Sequence, residues 1–110
     1  MTSRQPLPTR RPNVTVETAW NGHLITVTVG LRLDGCPAEV FADTPKRGDL
    51  QETIADACVL VSLALQHGVA PADLAKSLGR VPVWGEDSTA PASPVGAIVQ
   101  AVVAEAGRVG

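Results

Sequence analysis

Residues 13–43 read NVTVETAWNGHLITVTVGLRLDGCPAEVFAD, and the architecture of the whole chain hangs on how this stretch doubles back on itself. Asn21-Gly22 sits between two alternating segments. That dipeptide is a strong hairpin signal, because both central residues of the tight turn take positive φ. A two-residue turn sets Trp20 opposite His23. Counting back pairs Thr18 with Ile25, Val16 with Val27 and Val14 with Val29. Side chains alternate along a strand, so Val14, Val16 and Trp20 share a face with Ile25, Val27, Val29, Leu31 and Leu33. Asp34-Gly35 offers a second tight turn that pairs Val29 with Val40 and Val27 with Ala42. Ala38, Val40 and Ala42 then join the same apolar face. The opposite face carries Thr15, Glu17, Thr26, Thr28, Arg32, Glu39 and Asp43. Leu24 and Phe41 are its apolar exceptions, with Phe41 opposite Thr28, and together they form a candidate contact patch.

Helices follow the strands. Residues 44–49 (TPKRGD) read as a loop, with Asp49 placed to cap a helix that runs to about His67 and stops at Gly68. Leu50, Ile54, Ala57, Cys58, Val61 and Leu65 make a stripe at helical spacing. The second half, CVLVSLAL, is apolar nearly all round. Such a helix needs cover on two sides: the sheet on one, and the last helix or another subunit on the other. Pro71 opens a short second helix that ends at Gly79. Residues 80–93 read as a long loop, mobile or functional. Ser93 caps a final helix with Pro94 in its first turn, where Val95, Ile98, Val99, Val102, Val103 and Ala106 form an amphipathic stripe. The expected fold is therefore α+β: a three-stranded antiparallel meander with three C-terminal helices on one face, in the order βββααα. Both sheet edges are expected to be open.

Composition sets the limits. At 110 residues the chain is one domain, expected over 13–107. Apolar residues make up 45% but aromatics only 3%, so Val, Leu, Ile and Ala must build the core. A net charge of -2 disfavours nucleic acid as a partner. No apolar run approaches the ~20 residues that span a bilayer. Residues 1–12 (MTSRQPLPTRRP) hold three prolines and three arginines without apolar periodicity, and are expected to form a disordered arm. With two cysteines there is neither a disulfide framework nor a zinc spacing, and a reduced, cytoplasmic protein is expected.

Residues that do chemistry are sparse. Neither Cys36 nor Cys58 has a basic neighbour in sequence to lower its pKa. His23 flanks a turn, and His67 stands at a helix C-terminus, where positive charge is favourable in any case. GLRLDG lacks the lysine and the following helix of a phosphate loop. Arg32 and Glu39 can meet diagonally as a surface ion pair, and Glu52 and Asp56 lie one turn apart on a solvated helix face. No cofactor, metal or catalytic residue is expected.

A strand ending in EVF (Glu39 to Phe41), a short loop, and a helix whose tail reads LVSLALQHGVAPADLAKSL resemble the TSCPD-domain family. That domain is found at the C-terminus of adenosylcobalamin-dependent ribonucleotide reductases and also as separate short proteins. Arg11-Pro12 resembles its entry, and Gly79 to Pro82 (GRVP) its exit from the second helix. The likeness covers about residues 11–107. The family is named for a cysteine-containing motif near the final helix, where this chain has ASPVGA, Ala92 to Ala97, without cysteine. A second family cysteine, just before the first helix, is also missing from KRGDLQ.

The resemblance implies an accessory domain related to nucleotide reduction, not the radical catalyst, which needs a large barrel. Two readings follow. One is a non-catalytic interaction module, a homodimer that docks on a reductase catalytic subunit, with Phe41, Leu24, Val59, Leu60 and Leu63 as candidate interface. The other is a nucleotide- or anion-binding protein that uses the 80–93 region, with Trp84 as stacking surface and Lys76 and Arg80 as anion contacts.

Overall fold

The computed structural model describes residues 12–46 and 48–109. The arm expected over residues 1–12 lies outside the described residues, apart from Pro12. Strands β1 (Asn13–Trp20), β2 (His23–Leu31) and β3 (Pro37–Asp43) form an antiparallel sheet in the order β1-β2-β3. Helices α1 (Asp49–Gln66), α2 (Pro71–Ser77) and α3 (Pro94–Val109) follow, as the βββααα pattern requires. The first turn is as read. Asn21 and Gly22 have φ of 49° and 81°, and Trp20 pairs with His23, Val16 with Val27 and Val14 with Val29. Val29 pairs with Val40 and Val27 with Ala42.

The second turn differs. Gly35 N–H bonds Arg32 C=O at 2.8 Å, and Arg32 N–H bonds Cys36 C=O at 2.8 Å. The connection thus has three residues, Leu33 to Gly35, with Gly35 at φ 88° in the left-handed position. The Asp34 carboxylate locks it by accepting the Cys36 N–H at 2.9 Å. This longer loop shifts the register by one. A bulge between the Gly30–Glu39 and Leu31–Pro37 pairs shifts it back. The two slips cancel, so the valine pairs survive. Leu33, expected on the inner face, instead stands at the turn, 80% exposed.

The core lies between the inner sheet face and the two long helices. Ile25, Val27, Val29 and Val40 meet Ile54, Cys58, Val61 and Leu65 of α1 and Ile98, Val99 and Val102 of α3, all buried. Among the described residues no helix is long and apolar enough to cross a membrane. Helix α1 starts one residue earlier than a cap at Asp49 would allow. Gly48 is the cap, without a side-chain bond, and Asp49 becomes the first helical residue, its carboxylate near the positive end of the helix dipole. Ser93 caps α3 as read, its Oγ accepting Gly96 N–H at 3.1 Å.

Residues 80–93 are not a plain loop. They fold as a hairpin, β4 (Arg80–Pro82) against β5 (Thr89–Pro91), with Val81 paired to Ala90. Strands this short, each with a proline, carry no readable alternation.

One sheet edge is closed, contrary to expectation. In β3 the main-chain groups of Ala38, Val40 and Ala42 point away from β2, and three side chains of α1 meet them. Gln51 Nε2 donates to Ala42 C=O at 3.2 Å, and Gln66 Nε2 donates to Ala38 C=O at 3.0 Å. Ser62 Oγ accepts the Val40 N–H at 2.9 Å and donates to the Val40 C=O at 3.2 Å. The helix thus stands in for a fourth strand, running antiparallel to β3. Replacing Ser62 by Ala strands one donor and one acceptor at a part-buried edge. A loss of about 1–3 kcal/mol is expected in urea unfolding, without a change in the slope of the transition.

Candidate interaction surface

Closure of the β3 edge fixes the rotation of α1. Gln51, Ser62 and Gln66 lie on one line of the helix, and Ile54, Cys58, Val61 and Leu65 on the adjoining inward line. At 100° per residue, Val59 and Leu63 fall on the flank that turns past the edge, and Leu60 faces away from the sheet. The numbers agree: Val59 is 56% and Leu60 69% exposed, while Leu63 is half-buried. α3 does not cover this side of α1. Phe41, 55% exposed, stands on the outer sheet face opposite Thr28, on the strand that α1 flanks. Val59, Leu60 and Leu63 therefore form one flank of α1, and Phe41 is exposed on the neighbouring strand. Leu24, 45% exposed, pairs with Ala19 and lies four residues along the sheet from the Thr28–Phe41 pair, about 13 Å away.

Two of the candidate anion contacts already have partners. Lys76 pairs with Asp73 at 3.5 Å on an exposed side of α2. Arg80 ties its hairpin together and to α3: Nε donates to Thr89 Oγ1 at 2.7 Å, Nη2 to Thr89 C=O at 2.9 Å and Nη1 to Gln100 Oε1 at 3.4 Å. Trp84 is 99% exposed near the hairpin tip. A cavity of about 460 Å³ does open beside this hairpin, but its walls come from Thr18, Trp20, Val81, Ala90, Pro91 and Gln100. Trp20 is fixed there by its Nε1–H, which donates to Pro91 C=O at 3.3 Å.

A second cavity, of about 330 Å³, forms where the β2–β3 turn meets the end of α1, with Arg32, Asp34, Cys36, Leu65 and Val69 in its wall. Arg32 points Nη2 at Leu65 C=O, 3.5 Å away, near the helix C-terminus where positive charge is favoured. The Cys36 thiol is a poor nucleophile here. Its hydrogen bond to the Asp34 carboxylate raises its pKa, while Asp34 is held below the usual range by the Cys36 N–H. Burial pushes the Cys58 thiol to about 11, with Asp43 adding to it. Among the described residues no group of three or more His, Cys, Asp or Glu is placed to hold a metal ion.

Sequence reasoning missed the edge-closing trio. Gln51, Ser62 and Gln66 were given no role in it. Their spacing of eleven and four residues was the available signal, because it places all three on one line of the helix.

Neither a curated protein nor a solved structure matches this chain. The family model described as the TSCPD domain matches residues 1–105, nearly the full length. The chain belongs to the TSCPD-domain family.

Proposed function

We propose that this TSCPD domain is a non-catalytic accessory module of the ribonucleotide-reductase type, dimeric and engaged in deoxyribonucleotide synthesis through contact with a reductase catalytic subunit. The supporting observation is the uncovered apolar flank of α1. Val59 and Leu60 lie solvent-facing on α1, and Phe41 is exposed on the strand that this helix flanks. Two adjacent large aliphatic side chains and a phenyl ring exposed on a small domain are a costly surface to leave in water, and a protein contact removes that cost. The acidic first half of the same helix, with Asp49, Glu52 and Asp56, adds a charged rim that suits a partner with basic residues there.

The test is a titration of the purified domain with the ribonucleotide reductase catalytic subunit of the same cell, followed by calorimetry. Saturable binding is expected, weakened at least roughly 10-fold by Leu60→Lys, as for a residue near the centre of a contact. Leu60 is 69% exposed, so the variant folds normally. Absence of binding at the highest soluble concentration contradicts the reading, and so does binding indifferent to Leu60→Lys.

One observation keeps the small-ligand reading in play, namely the cavity walled by Trp20 beside the hairpin. A nucleotide seated there quenches Trp20 and leaves the solvent-facing Trp84 unaffected. Quenching that persists in Trp84→Ala therefore supports it.

A further inference from the structure

We propose that the free edge of β1 pairs antiparallel with β1 of a second copy, centred on Val16, so that two three-stranded sheets become one six-stranded sheet. This rests on reading the domain as a dimeric contact module and names the surface that makes the dimer.

The two edges of the sheet are treated differently. α1 closes β3 with bonds from Gln51, Ser62 and Gln66. Among the described residues, β1 is paired on one side only. It is eight residues long, regular in its pairing with β2, and free of lysine, proline and bulges. Those are the devices that normally keep an edge strand from pairing.

Hydrogen-bond parity says which groups are available. The two-residue turn makes Trp20–His23 a hydrogen-bonded pair, so Thr18, Val16 and Val14 also direct their main-chain groups at β2. The Leu31 N–H bond to Pro12 C=O at 2.9 Å continues the same alternation. The N–H and C=O groups of Asn13, Thr15, Glu17 and Ala19 therefore point outward from the edge.

A two-fold axis at Val16 employs all four. Asn13 meets Ala19 of the second copy and Thr15 meets Glu17, in both directions. Glu17 is the single charged residue of the strand, and this register sets it against a threonine. Centring on Glu17 instead would oppose two carboxylates, which is destabilising. Centring on Thr15 would carry Ala19 past the end of the partner strand. Beneath the seam, Val14 and Val16 are half-buried at the margin of the core, and pairing brings Val16 against Val16 and Val14 against Thr18. The strand is thus self-complementary in hydrogen bonds, charge and apolar pattern, which favours a second copy over an unrelated strand.

Light scattering of the full chain provides one arm of the test. Wild type is expected to dimerise with rising concentration. Glu17→Pro removes an outward N–H and none of the bonds to β2, so the fold is kept. The dimer should then require a roughly 100-fold higher concentration, the effect of losing ladder bonds and the fit around them. Cross-linking in a Cys36→Ser background gives the second arm. Val16 faces its own copy in a non-hydrogen-bonded pair with Cα atoms about 4.5 Å apart, within disulfide reach. Val16→Cys should oxidise to a covalent dimer, and Thr18→Cys should not. A dimer indifferent to Glu17→Pro and not trapped by Val16→Cys overturns edge pairing while leaving the contact module standing. A wild-type chain that stays monomeric throughout overturns it as well. So does a β1 edge that binds an extended peptide from another protein in preference to its own copy.

Discussion

Val27→Asp is expected to abolish the folded state: no cooperative thermal transition, and a far-ultraviolet spectrum dominated by unfolded chain. Val27 sits on the central strand between Val16 and Ala42, at 0% exposure, in the cluster that joins the sheet to α1 and α3. A carboxylate placed there has neither water nor a designed partner. Leaving a buried charge uncompensated costs several kcal/mol even after relaxation. Loss of the valine removes a further ~1.5–3 kcal/mol of apolar burial. A domain of this size is held by ~5–15 kcal/mol and belongs at the low end of that range. The two costs together use it up. A cooperative melt near the wild-type temperature would mean that Val27 does not face inward, and the register of all three strands would be wrong.

Ile54→Ala is expected to lower stability by about 2–5 kcal/mol, the cost of removing three carbons from a fully enclosed site and leaving a partly relaxed void. Ile54 is at 0% exposure, on the line of α1 that carries Cys58, Val61 and Leu65. A loss of that size moves the melting temperature of a domain near 100 residues down by roughly 10–30 °C. Leu60→Ala supplies the contrast. Leu60 lies on the same helix and is equally apolar, but it is 69% exposed, so its truncation should stay within about 0.5 kcal/mol. Calorimetric melts of the two variants side by side check the rotation assigned to α1. Equal losses at both positions would refute it.

The strands were legible because two constraints agreed. Asn21-Gly22 sets the β1–β2 register, and the alternating valines would face water in any register shifted by one. Near the second turn that logic failed locally. Asp34-Gly35 was read as a two-residue turn, whereas Gly35 takes the third position of a longer loop and Asp34 caps it. Leu33 was misplaced as a result, and the compensating bulge beside Leu31 kept the error from spreading. The 80–93 hairpin escaped notice because three-residue strands have too little pattern to detect.

The apolar flank of α1 was partly legible. CVLVSLAL shows that the helix is apolar on too many sides, but not which side is left uncovered. That depends on Gln51, Ser62 and Gln66 meeting β3, a contact between segments far apart in sequence. The same contact explains why, among the described residues, one sheet edge is closed while the other is open. The partners of Lys76 and Arg80 were not legible either: Lys76 pairs with Asp73, Arg80 ties the hairpin together, and Trp84 is left exposed.

The unequal edges of the sheet decide both how α1 is seated and where a second copy pairs, and amide hydrogen exchange measured residue by residue at two concentrations tests them most directly. The Val40 amide should be protected at both concentrations and lose that protection in Ser62→Ala. The amides of Thr15 and Glu17 should exchange fast in dilute solution and slow markedly when concentrated, as β1 pairs with its copy. A Val40 amide that exchanges freely in the wild type, or Thr15 and Glu17 amides that stay fast at every concentration, would contradict that asymmetry.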